Sequence, residues 1–141
     1  MSLTPKKILI IEDNETYLDV LSQKLSIEKY DVLTAKDGPN GIQQTIDHQP
    51  DIILIDLLLP KMNGIEVLEK IRQTDRGKNL PLIILTNINP DDEILQLIMK
   101  NKPTYYLIKP EVTLDEIEEK IRNVLQTSRT KLQLDPLTTI K

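Results

Sequence analysis

The chain has 141 residues, a net charge of −4 and a pI near 5.1, which is length enough for one domain and a charge balance that argues against a nucleic-acid surface. The absence of cysteine removes disulfides, thiolate nucleophiles and cysteine metal sites, and a single histidine, His48, excludes a histidine cluster. No apolar run reaches the ~20 residues of a membrane span and no signal peptide is visible, so a cytoplasmic protein is expected.

Residues 1–5 read as a leader outside the fold. Lys6-Lys7-Ile8-Leu9-Ile10-Ile11 is a continuous apolar run of the kind buried on both faces of a sheet, and it ends in Glu12-Asp13. A helix follows, capped by Asp13 or Asn14, with Leu18, Leu21 and Leu25 inward. Tyr30–Ala35 is a shorter strand, and Asp37-Gly38-Pro39-Asn40-Gly41 turns into a helix carrying Ile42 and Ile46 and ending near a solvated His48. Ile52-Ile53-Leu54-Ile55 is the central strand; Asp56 closes it, and Pro60 and Gly64 mark a loop. The next helix places Ile65, Leu68 and Ile71 inward.

Leu80–Leu85 is the fourth strand, ending at Thr86. Asn89-Pro90-Asp91-Asp92-Glu93 predicts a helix start with a cap, a proline in the first turn and acids at the positive dipole end, followed by Ile94, Leu95, Leu97 and Ile98 as the apolar side. Tyr105–Ile108 is the fifth strand, ending at Lys109-Pro110. A last helix from about Thr113 carries Leu114, Ile117, Ile121, Val124 and Leu125, with Glu118 at its surface, and its pattern fades after about Thr127. Five strand–helix alternations predict an α/β, flavodoxin-like doubly wound parallel sheet of order 2-1-3-4-5 with five helices. The domain is expected over residues 6–127, with 128–141 as a tail or linker.

In such a sheet the strand ends share one edge, where ligands bind. The topology therefore gathers Glu12, Asp13, Asp56, Thr86 and Lys109. Singly, Asp56 also reads as a loop cap, Glu12-Asp13 as a helix cap, and Thr86 and Tyr106 as packing residues. Together, three carboxylates ask for a counter-charge, and Mg²⁺ is the hard cation that takes oxygen ligands beside a phosphate. Phosphoryl transfer needs positioning and charge neutralisation, and a carboxylate such as Asp56 is a competent nucleophile. A haloacid-dehalogenase-type phosphatase would want a second aspartate at position 58, which is Leu58. A flavodoxin would want a Ser/Thr/Gly-rich loop where Glu12-Asp13-Asn14-Glu15 stands.

Glu12-Asp13, Asp56 with Pro60, Met62 and Gly64, then Thr86, then Tyr106-Leu107-Ile108-Lys109-Pro110 resemble, in order, the receiver domain of two-component response regulators. The resemblance implies Asp56 as phosphoacceptor, Mg²⁺ held by Glu12, Asp13, Asp56 and the backbone carbonyl of Leu58, phosphoryl contacts from Thr86 and Lys109, and Tyr106 as an aromatic switch. It implies a cis Lys109-Pro110 bond, a histidine kinase or phosphotransfer protein as partner, and an output face on the fourth helix, fifth strand and fifth helix, through which a homodimer would form. No enzyme activity beyond self-catalysed phosphoryl transfer and slow autodephosphorylation is expected, because Leu58 and Ile88 cannot orient an attacking water. Neither direct nucleic-acid binding nor membrane contact is expected. The alternative is a pseudo-receiver that binds partners without phosphorylation. Asn87 stands where the family usually has a small residue, and Lys102-Pro103 where Gly-Ala is common. The stretch from Lys131 to Lys141 reads either as a disordered terminus or, because Asp135-Pro136-Leu137-Thr138 is similar to the start of GGDEF-type diguanylate cyclase domains, as the way into a cyclase-like output of a longer protein.

Overall fold

A computed structural model describes residues 4–129. Its strands are β1 (Lys7–Ile11), β2 (Asp31–Ala35), β3 (Ile52–Ile55), β4 (Leu82–Thr86) and β5 (Tyr105–Ile108). Its helices are α1 (Glu15–Ile27), α2 (Gly38–His48), α3 (Gly64–Gln73), α4 (Asp92–Met99) and α5 (Leu114–Arg129), with a 3₁₀ turn at Lys109–Glu111. The strands form one sheet of order 2-1-3-4-5, and every neighbouring pair is parallel. Residues 130–141 lie outside the described residues, and the cyclase-like stretch Asp135–Thr138 lies there too.

The unbroken apolar strands follow from double coverage. Ile8, Ile10, Ile52, Leu54, Ile83 and Leu85 pack with Leu18, Leu21 and Leu25 of α1 and Ile117 and Ile121 of α5. The alternate residues Leu9, Ile11, Ile53, Ile55, Leu82 and Ile84 pack with Val67, Leu68 and Ile71 of α3 and Ile98 of α4. Each fully buried Leu or Ile contributes about 1.5–3 kcal/mol. These two layers hold the strand ends, and with them the polar edge, in register.

Three expected details differ. In α2 the buried residues are Gly38, Gly41 and Thr45, while Ile46 is 47% exposed. The helix lies so close to β1 that a Cβ on Gly41 would meet Ile11 Cδ1 at 2.5 Å, so small residues face inward. In α4 the cap is Asp91, whose side chain accepts from the Ile94 amide at 2.9 Å. Asn89-Pro90 is loop, consistent with the extended conformation that a proline imposes on the residue before it. In α5, Glu118 is 7% exposed rather than at the surface, and it accepts from Tyr30 Oη and pairs with Arg122. Burial, then the Glu118 charge, pushes the Tyr30 hydroxyl up to about 12. Of the two caps the sequence offers for α1, Asn14 is the one that forms.

Arg72, at the end of α3, was not singled out by any motif. Its guanidinium donates to four main-chain carbonyls: Asn101 at 2.7 Å, Gly77 at 2.8 Å, Leu80 at 2.6 Å and Lys102 at 3.1 Å. It thereby joins the α3–β4 loop to the turn after α4. Arg72→Met should cost about 2–3 kcal/mol, since four carbonyls, three of them in part-buried bonds, lose a charged donor. Arg72→Lys should recover little, because an ammonium cannot reproduce the planar fork. A urea midpoint unchanged in Arg72→Met would show the clamp to be idle.

Candidate functional site

The carboxyl edge of β1, β3, β4 and β5 builds the site. β1 delivers Glu12 and Asp13, and Asn14 then starts α1, its side chain accepting from the Tyr17 amide at 2.9 Å. β3 delivers Asp56, and the loop after it folds back through Gly64 N–H to Leu57 O at 2.9 Å. Gly64 is required there: a Cβ would sit 2.3 Å from the Leu57 Cα. β4 delivers Thr86 and β5 delivers Lys109.

Asp56 is 4% exposed, Glu12 3% and Thr86 fully buried. Thr86 Oγ1 donates to Asp56 Oδ1 at 2.6 Å, and the Leu58 amide donates to the same oxygen at 3.0 Å. Lys109 Nζ bridges Asp56 Oδ2 at 2.8 Å and Glu12 Oε1 at 2.7 Å. Glu12 Oε2 accepts from the Asn14 amide at 3.0 Å. Asp13 is exposed, and one oxygen from each of Glu12, Asp13 and Asp56 falls within 4.8 Å of the others. Tyr106 Oη donates to the Ile88 carbonyl at 2.8 Å, while the Ile88 amide donates to Thr86 Oγ1 at 3.4 Å. The expected residues therefore meet, and Tyr106 joins them through Ile88.

Burial holds the Glu12 carboxyl above its ordinary range, against the opposing pull of Lys109 and the Asn14 amide, with the Asp56 charge adding to the rise. Burial alone would make Lys109 less basic, but its hydrogen bonds to Asp56 and Glu12 outweigh that and hold it above the usual lysine range. Burial also raises the Tyr106 hydroxyl, with the Asp56 charge adding to it. One ammonium thus pairs with two of the three clustered carboxylates, Glu12 and Asp56, and leaves the cluster with net negative charge. The remaining negative charge, the hard oxygen donors and their mutual distance fit Mg²⁺.

Two corrections apply. The Lys109-Pro110 bond is trans, as are all peptide bonds among the described residues. Lys109 reaches the site without the cis bond because it opens the 3₁₀ turn that follows β5. Tyr17 is the residue the motifs missed: the Lys109 ammonium lies 4.4 Å from its ring centroid. Its place in the first turn after Asn14 was the available signal, yet it read only as helix.

The metal reading makes a direct forecast. Asp13→Ala should weaken Mg²⁺ binding on the order of tenfold or more, because a carboxylate supplies much of the charge match at such a site. Glu69→Ala, at an exposed position of α3, should leave it unchanged. Equal titrations for the two variants would reduce Asp13 to a surface acid.

Fold and site together define a flavodoxin-like α/β domain with an acid–lysine centre at the carboxyl edge of its sheet. The response regulator receiver domain family model matches residues 8–122. The alkaline phosphatase synthesis transcriptional regulatory protein PhoP of Bacillus subtilis is 32% identical over 124 residues, covering 87% of this chain and 50% of PhoP. Among solved structures, a CheY-like receiver domain protein of Methanospirillum hungatei superposes with a TM-score of 0.84 at 27% identity, over 91% of this chain and 99% of that one. The receiver domain of sensor histidine kinase PA1611 of Pseudomonas aeruginosa superposes with a TM-score of 0.78 at 25% identity, over 87% and 99%, and carries a magnesium ion in its active-site cleft. The chain belongs to the response regulator receiver domain family of two-component systems. It spans about half the length of the curated relatives it matches.

Proposed function

We propose that this chain is a phosphoacceptor switch in which Asp56 takes a phosphoryl group from a phosphohistidine on a histidine kinase or phosphotransfer protein. The observation that carries the reading is a buried Asp56 with Thr86 on one carboxylate oxygen and Lys109 on the other. An Asp56 oxygen attacks phosphorus, the P–N bond breaks, and the imidazole nitrogen keeps the electron pair and takes a proton. Lys109 and Thr86 then bind phosphoryl oxygens. Glu12, Asp13, Asp56 and the Leu58 carbonyl would hold Mg²⁺, which when bound neutralises charge on the transferred group.

Readout runs through hydrogen bonds. Drawing Thr86 Oγ1 toward a phosphoryl oxygen pulls on the Ile88 amide, and the Ile88 carbonyl is what holds Tyr106 Oη. Phosphoryl contacts thereby favour a second arrangement of the α4–β5–α5 face, a population shift between two conformers. Leu95, Leu97 and Met99 are exposed on α4 and support a homodimer through that face. Leu58 and Ile88 stand two residues after Asp56 and Thr86 and are apolar, which supports slow autodephosphorylation. None of the described helices is long and apolar enough to cross a membrane. A cytoplasmic place beside the kinase domain belongs to the same proposal. The acidic edge supports partners that are proteins rather than nucleic acid. For the output, the two pointers diverge. PhoP is by name a transcriptional regulator, and Asp135-Pro136-Leu137-Thr138 points to a cyclase-like domain. The native gene sequence past Lys141 separates them.

The test is incubation with a small acyl phosphate and Mg²⁺, followed by peptide mapping and a chase without donor. One phosphoryl group on the peptide containing Asp56, decaying slowly, is expected. No labelling, the result for a phosphorylation-independent interaction module, overturns the reading.

A further inference from the structure

Lys109 is gripped from three sides, and only two of them are carboxylates. The third is the face of Tyr17. The Asn14 cap puts this side chain in the first turn of α1, one turn beyond Asp13 and directly against the site. The half-buried ring also walls a cleft of about 520 Å³ shared with Asn14, Thr16, Val20, Asn87 and Lys109. We propose that Tyr17 is a positioning residue that holds the Lys109 ammonium in place while the anion it serves changes, an inference that rests on Asp56 being the phosphoacceptor.

The two ion pairs cannot do this alone. The bond to Asp56 Oδ2 is to the nucleophile itself. Once an Asp56 oxygen is bonded to phosphorus, that carboxylate no longer carries its charge, and Lys109 has to follow the negative charge onto the phosphoryl oxygens. A salt bridge is short and directional, so it weakens as the ammonium shifts. The attraction between an ammonium and a ring face extends to about 6 Å from the centroid, and so tolerates a displacement of an ångström or more. The ring and Lys109 line the same cleft, so the ring face occupies one side of the ammonium that water would otherwise reach. A plain packing role for Tyr17, which also touches the core layer under α1, makes a different forecast.

The test uses Tyr17→Phe and Tyr17→Leu in the full chain, with Asp56 phosphorylation followed over a range of acyl phosphate concentrations at saturating Mg²⁺. Tyr17→Phe keeps the ring face and should phosphorylate within about twofold of the native chain. Tyr17→Leu keeps apolar bulk without the face and should lower the maximal rate on the order of tenfold. Its half-saturating donor concentration and thermal midpoint should change little. In a Lys109→Met background, Tyr17→Leu should slow the residual reaction no further. A Leu variant at native rate, Phe and Leu variants equally slow, or an undiminished effect of Tyr17→Leu without Lys109 would each overturn the proposal. Failure of the native chain to label at Asp56 would overturn the phosphoacceptor reading instead, so the two failures are distinct.

Discussion

Asp56→Asn should abolish phosphorylation and leave the protein folded, with a thermal midpoint at or above that of the native chain. The amide keeps nearly the shape of the carboxylate, so its oxygen still accepts from Thr86 Oγ1 and the Leu58 amide, both of which now address Asp56 Oδ1. What disappears is the nucleophile and one of three crowded negative charges. Two unit charges about 4 Å apart interact by roughly 4 kcal/mol at the effective dielectric of a protein surface. Removing Asp56 relieves its repulsion with both Glu12 and Asp13 while ending one attraction to Lys109, which keeps Glu12 at 2.7 Å. A gain of about 1 kcal/mol is the expected balance, in line with the cost that functional sites impose on stability. Mass spectrometry after incubation with an acyl phosphate checks the chemistry, and thermal unfolding without Mg²⁺ checks the energetics. Labelling equal to that of the native chain would remove Asp56 from the mechanism. A large loss of midpoint would mean that the carboxylate is structural.

The parts of this molecule that were legible in the sequence are those written as runs. Ile52–Ile55 and Ile8–Ile11 could hardly be anything but strands covered on both faces, and the acids directly after them then had to share an edge. That Glu12, Asp56, Thr86 and Lys109 share one edge follows from topology. The failures occur where packing is carried by small or irregular features. α2 hides its contact face in Gly41 and Thr45, whose smallness is what lets the helix approach Ile11, while apolar Ile46 misleadingly faces outward. Arg72 acts on carbonyls of loops up to 30 positions away, and carbonyls carry no residue-type signal. Tyr17 gains its meaning only because Lys109, far along the chain, arrives over its ring.

Lys109→Met should both destabilise the protein and make its stability depend on Mg²⁺ and pH. In the native chain the ammonium lies between two nearly buried carboxylates, and its own side chain is 11% exposed. Replacing it with an apolar chain of similar length leaves Glu12 and Asp56 facing each other with no counter-charge. Breaking a buried pair from one side costs several kcal/mol, and at the rim of a sheet about 3 kcal/mol is expected, roughly 10 °C in a domain of this size. The pH dependence has a definite sign. Burial already raises Glu12 above its ordinary value of 4.5, and Lys109 is the first influence pulling it back, so the variant raises it further. A carboxyl whose folded pKa lies above its unfolded one stabilises fully below the unfolded value, and that contribution is lost as pH rises through the folded pKa. The deficit of Lys109→Met should therefore be small near pH 4 and grow toward neutrality. Saturating Mg²⁺ should restore more stability to the variant than to the native chain, because the cation no longer competes with an ammonium for the same oxygens. Phosphorylation should stay slow even then, by on the order of a hundredfold, because the donor to the phosphoryl oxygens is missing. Unfolding midpoints recorded from pH 4 to 8, with and without Mg²⁺, decide the matter. A variant with the native midpoint at every pH would mean that Lys109 does not neutralise Glu12 and Asp56, and the account of the site given by its two short ion pairs would fall with it.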